Sequence, residues 1–454
     1  MSDIDIRTVI ESLTNLIWER DREALSRFVK DLPATDLPLV LSRLDSSDRS
    51  ELLAILDSED AAGLLLNLKE LSPRALLSKV SPETAARILH EMPSNVETDF
   101  IAGLKSGTAE RILELLPKRE MDDVRALARY APDVAGGLMA TEILHFPRDA
   151  SVQLVVGNLR TNAETYAGYN IQYIYVTGRE QQLIGVLKVR DLLLSDVNTL
   201  LGNLITEQPV TVDHLAPLEE LRDIFDRHRF LGLPVVESGR LVGVVRRAAV
   251  EEAISQKMAR QFRLVQGIIG GEETRTMPVA QRSGRRLAWL SANIVLNVLA
   301  ASVIVYFEDT LTRLIALAAF LPIISDMSGC SGNQAVAVSM RELSLGLVRP
   351  REVLRVWGKE VSVGLINGVS LGVLLGLVAW LWRGNPILGI VVGVALALNT
   401  IVAVSIGGSV PLILKGLGVD PALASGPILT TVTDICGFFF ALGLAALALS
   451  QGYL

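Results

Sequence analysis

The chain has 454 residues, 50% of them hydrophobic, with a formal net charge of −7 and a mean hydropathy of +0.39. The acidic excess lies early, with 24 acidic against 17 basic residues up to Tyr130, which argues against nucleic acid as a partner, since phosphate binding needs a basic footprint. Two cysteines, Cys330 and Cys436, imply no disulfide framework, and His90, His145, His214 and His228 form no metal-spaced cluster.

The average conceals two unlike halves. Charges are spread throughout up to about Gln281; beyond it apolar stretches dominate, and after Glu360 only Arg383, Lys415, Asp420 and Asp434 are charged. This predicts a multidomain membrane protein: a helical N-domain over 1–135, an α/β repeat over 136–250, a connecting helix and linker over 251–282, and an all-α transmembrane domain over 283–454. Met1–Arg20 is acidic and lacks an apolar core of its own, so no cleavable signal is expected, and the soluble half is expected in the cytoplasm.

In residues 1–135, Leu, Ile and Val recur at helical spacing between prolines and Ser or Asp capping candidates. LSPRALLSKV, SPETAARILHEMP and SGTAERILELLP read as short helices with one apolar face, and their succession predicts a superhelix of short helices. The stretch has no nucleophile elbow, P-loop or zinc spacing, so an enzyme is the least favoured class.

An internal repeat follows. IQYIYVTGREQQLIGVLKVRDLL (171–193) and FLGLPVVESGRLVGVVRRAAV (230–250) both read as strand, polar turn, strand, helix, with Gly185 and Gly243 in register. An amphipathic helix precedes each copy, at Ala150–Thr161 and Pro217–His228, after the matching leads TEILHFPRDA and TEQPVTVDHLAP. The pattern resembles a tandem pair of CBS domains. That resemblance implies an adenine nucleotide between the copies, with an acidic residue after the last strand holding the ribose. Asp191 stands there in the first copy; Arg246 and Arg247 stand there in the second. The alternative is a dimerisation module that binds no nucleotide.

AAVEEAISQKMARQFRLVQGII is amphipathic at helical period, opening with Glu251 and Glu252 and continuing with Lys257, Arg260 and Arg263. A helix joining a soluble domain to a membrane domain is a candidate lever or plug, although a solvated face is the default reading of its charges. Five segments are then long enough to span: Leu287–Phe307, Leu311–Met340, Val361–Trp382, Ile387–Leu414 and Ala422–Leu449. Arg282, Arg285 and Arg286 precede the first span, a cluster from Arg341 to Lys359 separates the second and third, and Lys415 separates the fourth and fifth. Basic residues gather on the cytoplasmic side, so the N-terminus is expected inside and the C-terminus outside.

Asp434 lies half-way along the last span. A carboxylate at that depth costs about 2.5–3.5 kcal/mol even on insertion scales, and is usually kept because it faces a cavity, an ion path or a partner; the alternative is a protonated acid hydrogen-bonded between helices. Thr430, Thr431 and Thr433 bring oxygen atoms to the same depth, and hard cations prefer oxygen ligands. The second span contributes Pro322, Asp326, Gly329, Gly332, Asn333 and Gln334, which predict either backbone lining water or close helix packing. Together the two spans read as a pore.

The order of parts, with ARYAPDVAGGLMATE, the Gly/Asn/Gln motif of the second span and LGVDPALASGPILTTVTD, resembles the MgtE family of magnesium channels over essentially the whole chain. The resemblance implies a homodimer in the lipid bilayer with its pore on the two-fold axis. Asp434 matches the pore aspartate, Thr430 lines the same site, and Asn333 belongs to the second-span motif. It also implies inward Mg2+ flux driven by the membrane potential, closed when Mg2+ bridges acidic groups of the N-domain, repeat and connector. Cys330 replaces an Asn of that motif, with Asp326 one turn before it, and the thiol is a softer ligand that would admit Co2+ or Zn2+. Thr84, Ala85, Gln256 and Arg260 stand where acidic sensor residues are expected, so Lys257, Arg260 and Arg263 are expected to pair with the acidic N-domain and weaken Mg2+ sensing. A cation-coupled carrier and a membrane-anchored sensor without transport are the competing classes.

Overall fold

The computed structural model describes residues 6–33, 36–68, 76–166, 169, 171–265, 267–268, 277 and 279–453. The chain divides into two compact units, Met1–Lys257 and Met258–Leu454.

The first unit opens with short helices, from Ile6–Glu19 to Lys118–Leu127, none longer than 14 residues. Their lengths follow from local stop signals. Asp21 and Ser81 cap helices through the amides of Ala24 and Thr84, and Pro82 occupies the first turn of its helix. The expected helices within SPETAARILHEMP and SGTAERILELLP are Pro82–His90 and Ser106–Leu115; the first half of LSPRALLSKV, residues 71–75, lies outside the described residues. One core from Leu13 to Val124 takes a leucine or isoleucine from most turns, each side chain stabilising the fold by roughly 1.5–3 kcal/mol through removal from water.

The repeat is present in both copies. In the first, β1 (His145–Pro147) pairs parallel with β2 (Tyr173–Thr177), which pairs antiparallel with β3 (Leu183–Lys188), and β4 (Thr206–Glu207) completes the sheet. In the second, β5 (Val212–Asp213), β6 (Gly232–Glu237) and β7 (Arg240–Arg246) repeat the parallel-then-antiparallel order. Gly185 faces Val176 and Gly243 faces Val235, so the two glycines hold the same rung of their hairpins. The helices before the hairpins are Val152–Thr161 and Leu218–Arg227.

ARYAPDVAGGLMATE works as a strap. Ala135 and Gly136 donate to the carbonyls of Ala216 and His214, both at 2.8 Å, and Ala140 bridges to Val244. Leu127, Ala135, Leu138 and Met139 thereby enter the core of the second copy. Helix Arg247–Val265 continues directly from β7. Arg247 pins its start, donating to the carbonyls of Phe225, His228 and Phe230 with its guanidinium over the Phe225 ring.

Among the described residues the second unit holds five helices long and apolar enough to cross a membrane: Val279–Tyr306, Ile315–Ser344, Pro350–Arg383, Pro386–Gly416 and Gly426–Ser450. The glycine-bearing part of the second span is unbroken helix from Leu321 to Ser344; the irregular backbone precedes it, in the turn Ile315–Ala319. Its small residues serve close packing. A Cβ on Gly407 of the fourth span would stand 2.3 Å from the Gly332 carbonyl oxygen, so these two backbones touch. Gly364, Gly368, Gly372 and Gly376 bring the third span against the fourth in the same way. The fourth span is therefore the most enclosed helix, packed by the second, third and fifth.

Candidate functional site

The second and fifth spans pack through Ser325 and Asp434, where the serine hydroxyl donates to the carboxylate. Asp434 is half-buried; Asp326, next to Ser325, points outward and makes no hydrogen bond or ion pair among the described residues. One residue is about 100° of helix rotation, and that separates the partner of the carboxylate from the exposed acid. Asp326, Cys330, Asn333 and Ala337 recur at helical spacing along one exposed face of the second span. On the fifth span, Thr430 is exposed one turn before Asp434 and its hydroxyl donates to the Gly426 carbonyl at 3.0 Å. Behind this strip Ser328, Ser331 and Thr433 are buried against neighbouring helices.

All four residues expected in the pathway thus lie on the second and fifth spans, three of them exposed and Asp434 at the helix seam. Ser325 was not among them; its signal, a hydroxyl beside an acid in an apolar run, is weaker than that of Asp326. The site gathers oxygen and amide groups on membrane-length helices. Such groups do not face hydrocarbon and require protein or water opposite them.

The connector residues lie elsewhere. Glu251 is within 3.9 Å of Arg247, Glu252 accepts from Gln256 at 3.0 Å, and Lys257 bonds Glu219 of the second repeat copy. Lys257 therefore does not pair with the N-domain as the sequence led us to expect: its helix starts at the second copy, and ten residues, about 15 Å, keep it beside that copy's helix Leu218–Arg227. Arg260 is exposed, and the Arg263 Nε is buried without a hydrogen-bond partner among the described residues. Ala85 is 1% exposed in the N-domain core, and Thr84 is held by Ser81 and Arg87.

Asp191 is paired with its neighbour Arg190 at 2.9 Å. It lines neither of the two cavities beside the repeat. The larger, of about 220 Å3, is bounded by Tyr173, Tyr175, Gly232, Arg246, Arg247 and Glu251; the other by Arg119, Asp123, His145 and Gln181.

Where the repeat meets the N-terminal helices, Glu142 accepts from the amide of Ser94 at 2.8 Å and from its hydroxyl at 3.2 Å. A carboxylate at that helix start suits the exposed amides. Glu97, one turn on, is 2% exposed and its Oε1 has no partner among the described residues. Burial, then repulsion from Glu120, Glu142 and Asp123, pushes its carboxyl up to about 8.

A polar strip on long apolar helices, preceded by a tandem repeat and a helical module, fits a membrane transporter. The family model described as a divalent cation transporter matches residues 321–444, the MgtE intracellular N domain matches 32–133, and the CBS domain matches 201–256. The magnesium transporter MgtE of Thermus thermophilus is 35% identical over 348 residues, 75% of each chain. That of Bacillus subtilis is 29% identical over 418 residues, 92% of each. The soluble part of a magnesium transporter, 23% identical with a TM-score of 0.50, covers 56% of this chain and 99% of its own, and shares the fold. The chain belongs to the MgtE family of divalent cation transporters.

Proposed function

We propose that this protein passes Mg2+ through a pore formed where two copies oppose the strip of Asp326, Cys330, Asn333, Thr430 and Asp434. The observation that carries the reading is the exposure of Asp326, Cys330, Asn333 and Thr430 beside half-buried Asp434 on membrane-length helices: lipid is a poor neighbour for them, and a second copy of the same strip with water between is a good one. Two Asp434 carboxylates then face one path. Mg2+ dehydrates reluctantly and is held through its water shell by one or two carboxylates, which suits a site where hydroxyls and amides surround the acids.

The basic loops set the N-terminal unit in the cytoplasm and the C-terminus outside, and the membrane potential then drives cations inward. The N-domain, repeat and connector gate the pore. With Gln256 tied to Glu252, Arg260 exposed, and Ala85 in the core, the connector and N-domain lack carboxylates at these positions, so gating responds weakly to Mg2+. Cys330 on the strip admits Co2+ or Zn2+ beside Mg2+. An adenine nucleotide, where one binds, occupies the larger cavity beside Arg246 and Arg247 rather than the surface at Asp191.

Uptake into proteoliposomes compared for Mg2+, Co2+, Ca2+ and Zn2+ tests this. Asp434→Asn is expected to lower Mg2+ flux by about 100-fold, the scale of removing the charged partner of an ion at a partly buried site. Wild-type flux in that variant removes Asp434 from the path.

A further inference from the structure

Asn399 lies 0% exposed in the middle of the fourth span, roughly 20 Å from its start, within an otherwise apolar run. Its Nδ2 donates to the Thr433 carbonyl of the fifth span at 3.0 Å. Its Oδ1 is buried with no partner among the described residues. An amide left half-bonded among Ala395, Leu396 and Ala403 is a standing cost, and packing alone would be served by leucine.

The fifth span is shaped around this amide. A Cβ on Gly437 would stand 2.7 Å from the Asn399 Nδ2, so a larger residue there would displace the amide. Thr433 and Gly437 are one turn apart and share the face turned to the fourth span. Thr433 is itself buried, its hydroxyl donating to the Thr430 carbonyl at 2.9 Å. Thr430 and Asp434, also one turn apart, share the adjacent face, and Asp434 meets Ser325 there. Rotation of the helix that freed Thr433 from Asn399 would carry Asp434 out of line by the same angle.

We propose that Asn399 is a positioning residue for ion passage: by holding the Thr433–Gly437 face of the fifth span it fixes the direction in which Thr430 and Asp434 present their oxygens. This rests on the reading of Asp434 as a pathway residue. It never touches the ion; it sets the angle at which the ion is met. Affinity and discrimination should therefore change before the fold does.

The test is Mg2+ flux into proteoliposomes of the full-length protein, read as half-saturating concentration and as Mg2+ to Ca2+ ratio, with assembly followed by size-exclusion and thermal unfolding. Asn399→Leu is expected to raise the half-saturating concentration about tenfold, the scale of one interhelical hydrogen bond, and to lower the Mg2+ to Ca2+ ratio. Asn399→Asp, which as a neutral acid keeps a donor for the Thr433 carbonyl, is expected to stay near wild type below neutral pH and to decline as pH rises, a profile absent from the wild type. Gly437→Ala, which displaces the amide from the other side, should reproduce the leucine variant, and the double variant should add nothing further. Wild-type affinity and ratio in Asn399→Leu overturn the proposal. Should that variant fail to assemble, Gly437→Ala decides, and wild-type values there overturn it equally. Asp434→Asn run alongside separates the two readings: if it transports normally both fall, and if it is inactive while the Asn399 and Gly437 variants are normal, only the positioning role falls.

Discussion

Glu97 and Asp434 are both carboxylates drawn away from bulk water, one among the N-terminal helices and one in the fifth span, and their surroundings are opposite in kind. Glu97 is closed in, has an oxygen without a partner, and is ringed by Glu120, Asp123 and Glu142. Asp434 is half-open, receives a hydroxyl from Ser325, and stands one turn from Thr430 on a strip that reaches the surface. The first arrangement favours a proton on the acid. The second keeps oxygens available to something that arrives from outside. Burial alone thus does not mark a site; access and a set of converging donors and acceptors do.

Neutralising each acid breaks the comparison most directly. The loss of about 100-fold in Mg2+ flux expected for Asp434→Asn should come with unchanged assembly, because Ser325 finds an acceptor in the amide oxygen as well. Glu97→Gln should act on stability instead, and only where the wild-type acid would ionise. The folded-state pKa of about 8 lies above the ordinary glutamate value of 4.5, so the folded protein holds a proton that the unfolded chain releases between those values. Stability from this group is therefore greatest in acid and falls as pH rises through 8. The substitution is expected to raise the unfolding temperature of the first unit by about 5 °C at pH 9 and by about 1 °C or less at pH 5, measured by calorimetry on the full-length protein. An equal gain at both values would show that Glu97 is not protonated in the fold.

Cys330 sharpens the contrast from the side of selectivity. A thiol on an oxygen-rich strip favours softer ions, so Cys330→Asn should lower Co2+ flux relative to Mg2+ by about fivefold and leave Mg2+ flux near wild type. A ratio unchanged by the substitution would mean that the thiol only packs against its neighbour.

The spans, the repeat and Asp434 were legible in the sequence because each rests on a local pattern: hydropathy over twenty residues, a glycine on matching hairpin rungs, one charge in an apolar run. The contacts of Ser325 and Asn399 were not, because they depend on rotation about helix axes. Asp326 is the more conspicuous residue, yet Ser325, one position earlier, reaches the carboxylate. Nothing local to Glu97 marks it as buried; the strap residue Glu142 returns to Ser94, one turn before it, from 48 positions away. The division of the connector was hidden for the same reason. Its basic residues look like one face, while Lys257 is already engaged with Glu219.

That ion pair gives the smallest expected effect and tests how firmly the connector is held. Lys257 and Glu219 are 37% and 52% exposed at the side chain, so water and salt screen them, and such pairs typically contribute about 0–1 kcal/mol. A double-mutant cycle with Lys257→Ala and Glu219→Gln on thermal unfolding should give a coupling of at most about 1 kcal/mol that shrinks in high salt. A larger, salt-insensitive coupling would make the pair a latch between the repeat and its own terminal helix. A small one leaves Arg247, with its three backbone carbonyls and the Phe225 ring, as the anchor of the connector.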